Sequence, residues 1–203
     1  MKLHYSATSP YVRKVMMVLH ELGIADSPTL LTQAVAPTTS NDAVNADNPL
    51  GKVPVMVTDD GTALFDSAVI CEYLATEYGG GTLLPASGPA RWTARRLEAL
   101  ADGLLDAALL VRYETAVRPG PLHWSEWEDG QRAKMTRAIA AMEAQVKEFG
   151  SEPTLGTIAV ACALGYLDFR FASDNWRSAA PRLAQWHNTF SKRQSYEATN
   201  PAE

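Results

Sequence analysis

Thr8-Ser9-Pro10-Tyr11-Val12-Arg13-Lys14-Val15 is the stretch on which the reading of the N-terminal half turns. A small hydroxyl residue followed by proline is a helix start: Ser9 can cap, and Pro10 suits the first helical position because its missing N–H would be unpaired there anyway. Val12, Val15, Met16 and Leu19 then recur with a helical period. Residues 2–5 read as a short strand. A strand therefore runs into a helix whose first turn offers unpaired N–H groups and a partial positive charge beside a side-chain hydroxyl.

Outward from that point the pattern is α/β. Residues 27–35 form the second expected strand, and residues 37–49, rich in Thr, Asn, Asp and Ala, a loop holding one helical turn. Residues 53–58 and 62–65 flank Asp59-Asp60-Gly61, where the glycine supplies the positive φ of a hairpin turn. Asp66-Ser67 then opens a helix carrying Val69, Ile70, Tyr73 and Leu74.

Gly79-Gly80-Gly81, Leu83-Leu84-Pro85 and Ser87-Gly88-Pro89 gather flexible residues and prolines where periodicity stops. The expected division is an α/β domain over 1–78, a linker over 79–89 and an all-α helical domain over 90–203. Leu97, Leu100, Ala101, Leu104, Leu105 and Ala108 keep a helical period until Arg118-Pro119-Gly120-Pro121 ends the run. Ser125 and Glu128 pair as a capping box for a helix with Met135, Ile139, Met142, Val146 and Phe149 on one face, stopped by Gly150. Residues 157–172 are apolar nearly all round and belong at the centre of the helical domain. Pro181 starts one more helix, with Leu183, Trp186 and Phe190 inward, and residues 199–203 are expected to fray.

A chain of 203 residues with net charge −5 and interspersed signs lacks the basic footprint of a nucleic-acid binder, Arg95-Arg96 being the tight basic pair in its middle. It holds no apolar run near the ~20 residues a membrane span needs and no apolar signal core at the N-terminus, so a cytoplasmic address without membrane partners is expected. Cys71 and Cys162 sit inside apolar helical patterns and read as buried thiols. His4, His20, His123 and His187 are scattered without ligand-like spacing, so no metal site is expected.

Three signals remain: Ser9-Pro10 at a first turn, Gly51-Lys52-Val53-Pro54 entering a strand, and Phe65-Asp66-Ser67 leaving one. Together they make the chain resemble a cytosolic glutathione S-transferase over its whole length, with a thioredoxin-like N-terminal half and an all-helical C-terminal half. Residues 95–106 and 157–170 resemble a small bacterial serine-type subgroup that opens Thr-Ser-Pro-aromatic-Val-Arg-Lys. The resemblance implies a homodimeric, detoxifying enzyme with glutathione as co-substrate and no metal, joining the glutathione thiol to a small electrophile.

Site residues are implied by the same likeness. Ser9 would donate to the glutathione sulfur as the catalytic group; Ser9-Pro10-Tyr11-Val12 stands where thioredoxin-like relatives carry Cys-x-x-Cys, so dithiol chemistry is lost. Tyr11 would line the wall, Lys52 meet the glycyl carboxylate, and Val53 pair its backbone with the cysteinyl unit beside a cis Val53–Pro54 bond. Asp66 would take the γ-glutamyl ammonium and Ser67 its carboxylate. The loop 6–11 and the helix near Ala108, Arg112 and Tyr113 would face the electrophile.

Each residue also has a plainer reading. Ser9 alone is a helix cap, Asp66-Ser67 a common capping pair, Pro54 a strand-entry proline and Lys52 a solvated lysine. Tyr5, at the end of the first strand, competes with Ser9 as thiol activator because tyrosine-type relatives place a phenol there; Ser9 is preferred because it starts the helix. One departure stands out: many members open the central helix of the second domain with Ser/Thr-x-x-Asp, whereas Thr157 is followed by Val160. The competing functions are a non-catalytic ligand-binding or regulatory protein on the same fold and a thiol-disulfide oxidoreductase, the latter opposed by Ser9 in the reactive-cysteine position.

Overall fold

In the computed structural model, which describes residues 1–201, strand β1 (Lys2–Tyr5) runs into helix α1 (Pro10–Glu21), followed by β2 (Thr29–Thr32). A short α2 (Asp42–Asp47), β3 (Val55–Val57), β4 (Ala63–Leu64) and α3 (Ser67–Glu77) complete the N-terminal series. The strands form one four-stranded sheet in the order β2-β1-β3-β4. Strand β1 is central, parallel to β2 with Leu3 opposite Leu30, and antiparallel to β3 with Leu3 opposite Met56. Gly61, at φ +89°, closes the β3–β4 turn and donates to the Thr58 carbonyl at 3.0 Å.

Helices α1 and α3 pack on each other. Helix α1 turns Val12, Val15, Met17, Val18 and Leu19 inward. His4, buried in β1, hydrogen-bonds through Nε2 to Asp47 at 2.7 Å and so ties the end of α2 to the central strand. The short α2 lies within the polar segment where one helical turn is expected, and Asn41 caps it by accepting the Val44 N–H at 3.2 Å.

The helical series comprises α4 (Pro89–Ala116), α5 (Ser125–Gln145), α6 (Leu155–Arg170), α7 (Trp176–Ala179), α8 (Pro181–Phe190) and α9 (Gln194–Glu197). Every residue of α6 from Leu155 to Leu167 is buried. Close packing there depends on Gly156, where a Cβ would lie 2.6 Å from the Ala94 carbonyl oxygen of α4. Asp168 accepts from Trp176 Nε1 at 2.9 Å and from Arg177, which secures α7. Glu143 of α5 takes Arg182 Nε at 2.8 Å and the Leu183 N–H at 2.7 Å, which secures the start of α8. Cys71 and Cys162 are both fully buried.

This is the fold expected, a small α/β domain followed by a helical one, with corrections at three places. First, Ser125 does not cap α5: Trp124 holds the cap position, and its N–H donates at 2.9 Å to Glu114, a carboxylate delivered by α4. Glu128 instead pairs with His123 and Arg132. Secondly, α6 begins earlier than residue 157. Thr154 is its cap, and Thr157 occupies the third helical position and closes a reciprocal box with it, so the threonine stands in the place of the missing aspartate. Thirdly, the chain divides into one unit of Met1–Trp92 with Arg193–Glu203 and another of Thr93–Lys192. The segment from Arg193 onward therefore joins the sheet-bearing unit instead of the helical one, and α9 packs on α1. Thr199 and Asn200, expected to fray, accept hydrogen bonds from Arg13; Ala202 and Glu203 lie outside the described residues.

Candidate functional site

A small apolar cluster in the sheet-bearing unit gathers the three segments singled out from the sequence. Val12 of α1, Val44 of α2, Val53 on the approach to β3 and Val55 of β3 are buried together, with Tyr5 and Phe65 among the residues packed against them. The first turn of α1, the approach to β3 and the strand end that leads to Asp66 are thereby adjacent.

Ser9 is the N-cap of α1, with extended backbone angles, and its Oγ accepts the Val12 N–H at 3.3 Å. A hydroxyl carries one donor and two acceptor sites. The cap uses one acceptor, and among the described residues the proton reaches no acceptor. The plain cap and the thiol donor are thus compatible roles for one half-buried side chain. Tyr5 is half-buried against the apolar cluster, the surroundings of a packing residue. Tyr11, the second residue of α1, is half-buried.

Val53 is buried and its bond to Pro54 is cis, as the family likeness implies. Strand pairing starts only at Val55, opposite His4. Among the described residues the N–H and C=O of Val53 have no hydrogen-bond partner. What holds this segment is Asn48, only 2 % exposed. Its Nδ2 donates to the Lys52 carbonyl at 2.9 Å and its Oδ1 accepts the Leu50 N–H at 3.0 Å. Its own carbonyl accepts the Gly51 N–H at 2.9 Å, and Gly51 adopts φ +64°. Nothing in the motifs pointed to Asn48; the Asn48-Pro49 pair, a turn-initiating dipeptide, is the signal that could have done so. The Lys52 side chain is exposed.

Asp66 caps α3, accepting the Ala68 N–H at 3.0 Å, and is itself exposed. The Phe65–Asp66 bond is also cis. Ser67 begins α3 at 2 % exposure, and its hydroxyl meets no partner among the described residues. On α4, Ala108 is buried while Arg112 and Tyr113 are exposed.

These features suit an extended peptide with charged ends. The unpaired amide and carbonyl of Val53 can add a strand-like partner. The start of α3, with a spare hydroxyl, can take a carboxylate, and the Asp66 carboxylate an ammonium. The start of α1 favours negative charge near Ser9. No group of three or more His, Cys, Asp or Glu placed to hold a metal occurs among the described residues.

Comparison with known proteins identifies the family. Residues 8–77 match the N-terminal domain of glutathione S-transferases and residues 125–189 their C-terminal domain. The chain is 37% identical over 205 residues to the uncharacterized GST-like protein YibF of Escherichia coli (strain K12), covering 99% of this chain and 98% of that one. It is also similar to a glutathione transferase family member from Pseudomonas fluorescens Pf-5 whose crystal structure contains bound glutathione. That match has 46% identity and a TM-score of 0.97, across 100% of this chain and 99% of the other. A second crystal structure from that organism, with bound S-(propanoic acid)-glutathione, matches at 45% identity and a TM-score of 0.92 over the full length of both chains. The chain belongs to the glutathione S-transferase family.

Proposed function

We propose that this protein is a glutathione-dependent transferase in which Ser9 stabilises the glutathione thiolate for attack on a small electrophile. The observation that carries the reading is the Ser9 hydroxyl: it sits at the start of α1, keeps its proton free of protein acceptors among the described residues, and lies on the turn packed against Val53. Glutathione would pair its cysteinyl backbone with Val53, place its γ-glutamyl carboxylate at Ser67 and its ammonium at Asp66, and direct its glycyl carboxylate toward Lys52, with Tyr11 along the wall. The thiol gives up its proton to solvent, the sulfur forms a bond to carbon, and either a leaving group departs with the bonding pair or the adduct takes a proton from solvent.

Magnitudes set the share each effect carries. A hydrogen bond to a charged group contributes ~1.5–3 kcal/mol and a helix start ~0.3–1, against ~1.4 per pKa unit, enough to bring a thiol from ~8.5 to ambient pH. Since such a thiol is already a few per cent ionised at neutral pH, full ionisation raises the rate by at most ~30-fold. Holding both reactants together supplies the remainder. The Pseudomonas relative that binds S-(propanoic acid)-glutathione supports a site that accommodates a thioether product as well as the free thiol. Leu50, Val69 and Trp92 leave apolar surface exposed on the sheet-bearing unit, which fits a homodimer.

The test is the ionisation of bound glutathione, followed by thiolate absorbance against pH. Ser9→Ala should raise the bound thiol pKa by ~1–2 units while Tyr5→Phe leaves it in place. The reverse pattern would assign activation to Tyr5. Glutathione binding without acceleration of any member of a broad electrophile panel would instead favour a non-catalytic ligand carrier.

A further inference from the structure

Helix α1 is held at both ends by the segment that begins at Arg193. At its last residue, Glu21 accepts from Arg193 Nε at 2.8 Å and Nη2 at 2.9 Å and from the Ser195 hydroxyl at 2.5 Å. At its first turn the anchor is Arg13. This guanidinium is only 6 % exposed and donates to the Tyr196 carbonyl at 3.1 Å, to Asn200 Oδ1 at 2.8 Å and to Thr199 Oγ1 at 3.4 Å. It also lies 4.0 Å above the Tyr196 ring. Every side-chain partner of Arg13 among the described residues belongs to residues 196–200. Its backbone N–H donates to the Ser9 carbonyl at 3.0 Å, the bond that seats the cap residue on the helix.

We propose that Arg13 is a positioning residue for the thiol site, coupling the C-terminal residues Tyr196–Asn200 to the first turn of α1 and hence to the group that faces the glutathione sulfur. This rests on the reading that the start of α1 receives that sulfur. Anchorage alone does not account for a buried guanidinium. The inward apolar face of α1 and the Glu21 clamp already fix the helix to its unit, and burying a charge is an inefficient source of stability because desolvation offsets most of the attraction. What the Arg13 contacts supply is direction: three acceptors and a ring fix a planar fork in place. Their effect passes to Ser9 through one turn of hydrogen-bonded backbone. A 1 Å misplacement of a reacting group can cost ~10²-fold in rate, so a fraction of that shift at Ser9 corresponds to about tenfold.

The experiment uses the full-length protein with glutathione and compares Arg13→Met, Arg13→Lys, Asn200→Ala and Ser9→Ala. Glu143→Gln, which loosens the α5–α8 contact within the helical unit, serves as a reference. Bound-thiol pKa, kcat/KM and Tm are read for each. Arg13→Met should raise the thiol pKa and lower kcat/KM about tenfold at neutral pH, with the deficit shrinking at high pH as more thiol ionises unaided. Arg13→Lys should fall between it and the parent, and Asn200→Ala, which leaves α1 untouched, should move pKa and rate the same way by less. Glu143→Gln should lower Tm with the thiol pKa unchanged. Should Arg13→Met fail to fold, Asn200→Ala and Arg13→Lys carry the comparison. The proposal is overturned if those two lower Tm while the thiol pKa stays at its parent value. If Ser9→Ala leaves the pKa in place but Asn200→Ala moves it, the Ser9 reading fails and the coupling stands, acting through the first-turn amides.

Discussion

Thr157 Oγ1 accepts the backbone N–H of Thr154 at 2.8 Å, and the Thr157 N–H donates back to Thr154 Oγ1 at 3.2 Å. Two helix-start donors are satisfied by two hydroxyls, with no carboxylate involved. Thr157 is buried at the head of the central helix, so its hydroxyl is poorly replaced by water. Thr157→Val, close in shape, should therefore lower stability by about 1–2 kcal/mol. Urea denaturation should show a lower midpoint at unchanged slope. Glutathione affinity should not change, since the box lies in the helical unit.

Ser67 offers the opposite balance. Its hydroxyl holds nothing together among the described residues, so Ser67→Ala should change stability by no more than about 0.5 kcal/mol. Loss of a hydrogen bond to the ligand carboxylate should weaken glutathione binding by about 10- to 100-fold. Calorimetric titration beside a thermal melt separates the two effects. Equal affinity in parent and variant would remove Ser67 from the site.

Asn48 supports the backbone that leads to Val53. Asn48→Asp keeps the acceptor for the Leu50 N–H but cannot donate to the Lys52 carbonyl. A cost of about 1–3 kcal/mol in stability is expected for the buried group left unsatisfied. Glutathione affinity should fall with it, because the segment that presents the Val53 amide and carbonyl is no longer pinned. Hydrogen exchange at Leu50 and Gly51 should rise in parallel.

The Glu21 clamp gives a pH dependence with a definite sign. The Arg193 guanidinium, its main partner, holds the Glu21 carboxyl below the ordinary glutamate value, with the Ser195 hydroxyl adding to the effect against the opposing influence of burial. A lowered folded-state pKa means that the contribution is complete above the unfolded value of ~4.3 and disappears as pH falls through the lower, folded one. The stability gap between the parent and Glu21→Gln should be constant near neutrality and close in acid. A gap that persisted unchanged well below that range would show that Glu21 acts through packing alone.

The elements that were legible in the sequence are those with local causes. Ser9-Pro10 announces α1, Asp59-Asp60-Gly61 the hairpin, Asp66-Ser67 the start of α3 and Pro181 the start of α8, since each depends on residues within a turn of itself. The misread starts had distant or competing partners. Ser125 and Glu128 have the spacing of a capping box, but Glu114 reaches from another helix to hold the Trp124 N–H, the cap falls one residue earlier, and Glu128 is taken by His123 and Arg132. At α6 two threonines three apart do the work usually shared with an acidic residue, and a box of two hydroxyls has no charge to mark it in the sequence. The C-terminal residues read as a fraying end because nothing in their own composition reveals Arg13, more than 180 positions earlier, as their partner. The three site segments could be named one by one, but their adjacency comes from the valine cluster, a tertiary property that no single segment encodes.

That Arg193 and the residues after it belong to the unit that opens the chain bears on how such proteins can recombine. Chimeras joined at the glycine-rich stretch around Gly79–Gly81 would pair one parent's α1 with the other parent's terminus, leaving Arg13 opposite foreign acceptors. A third fragment, the donor's own last residues, would have to travel with the first for the exchange to leave that half of the molecule intact.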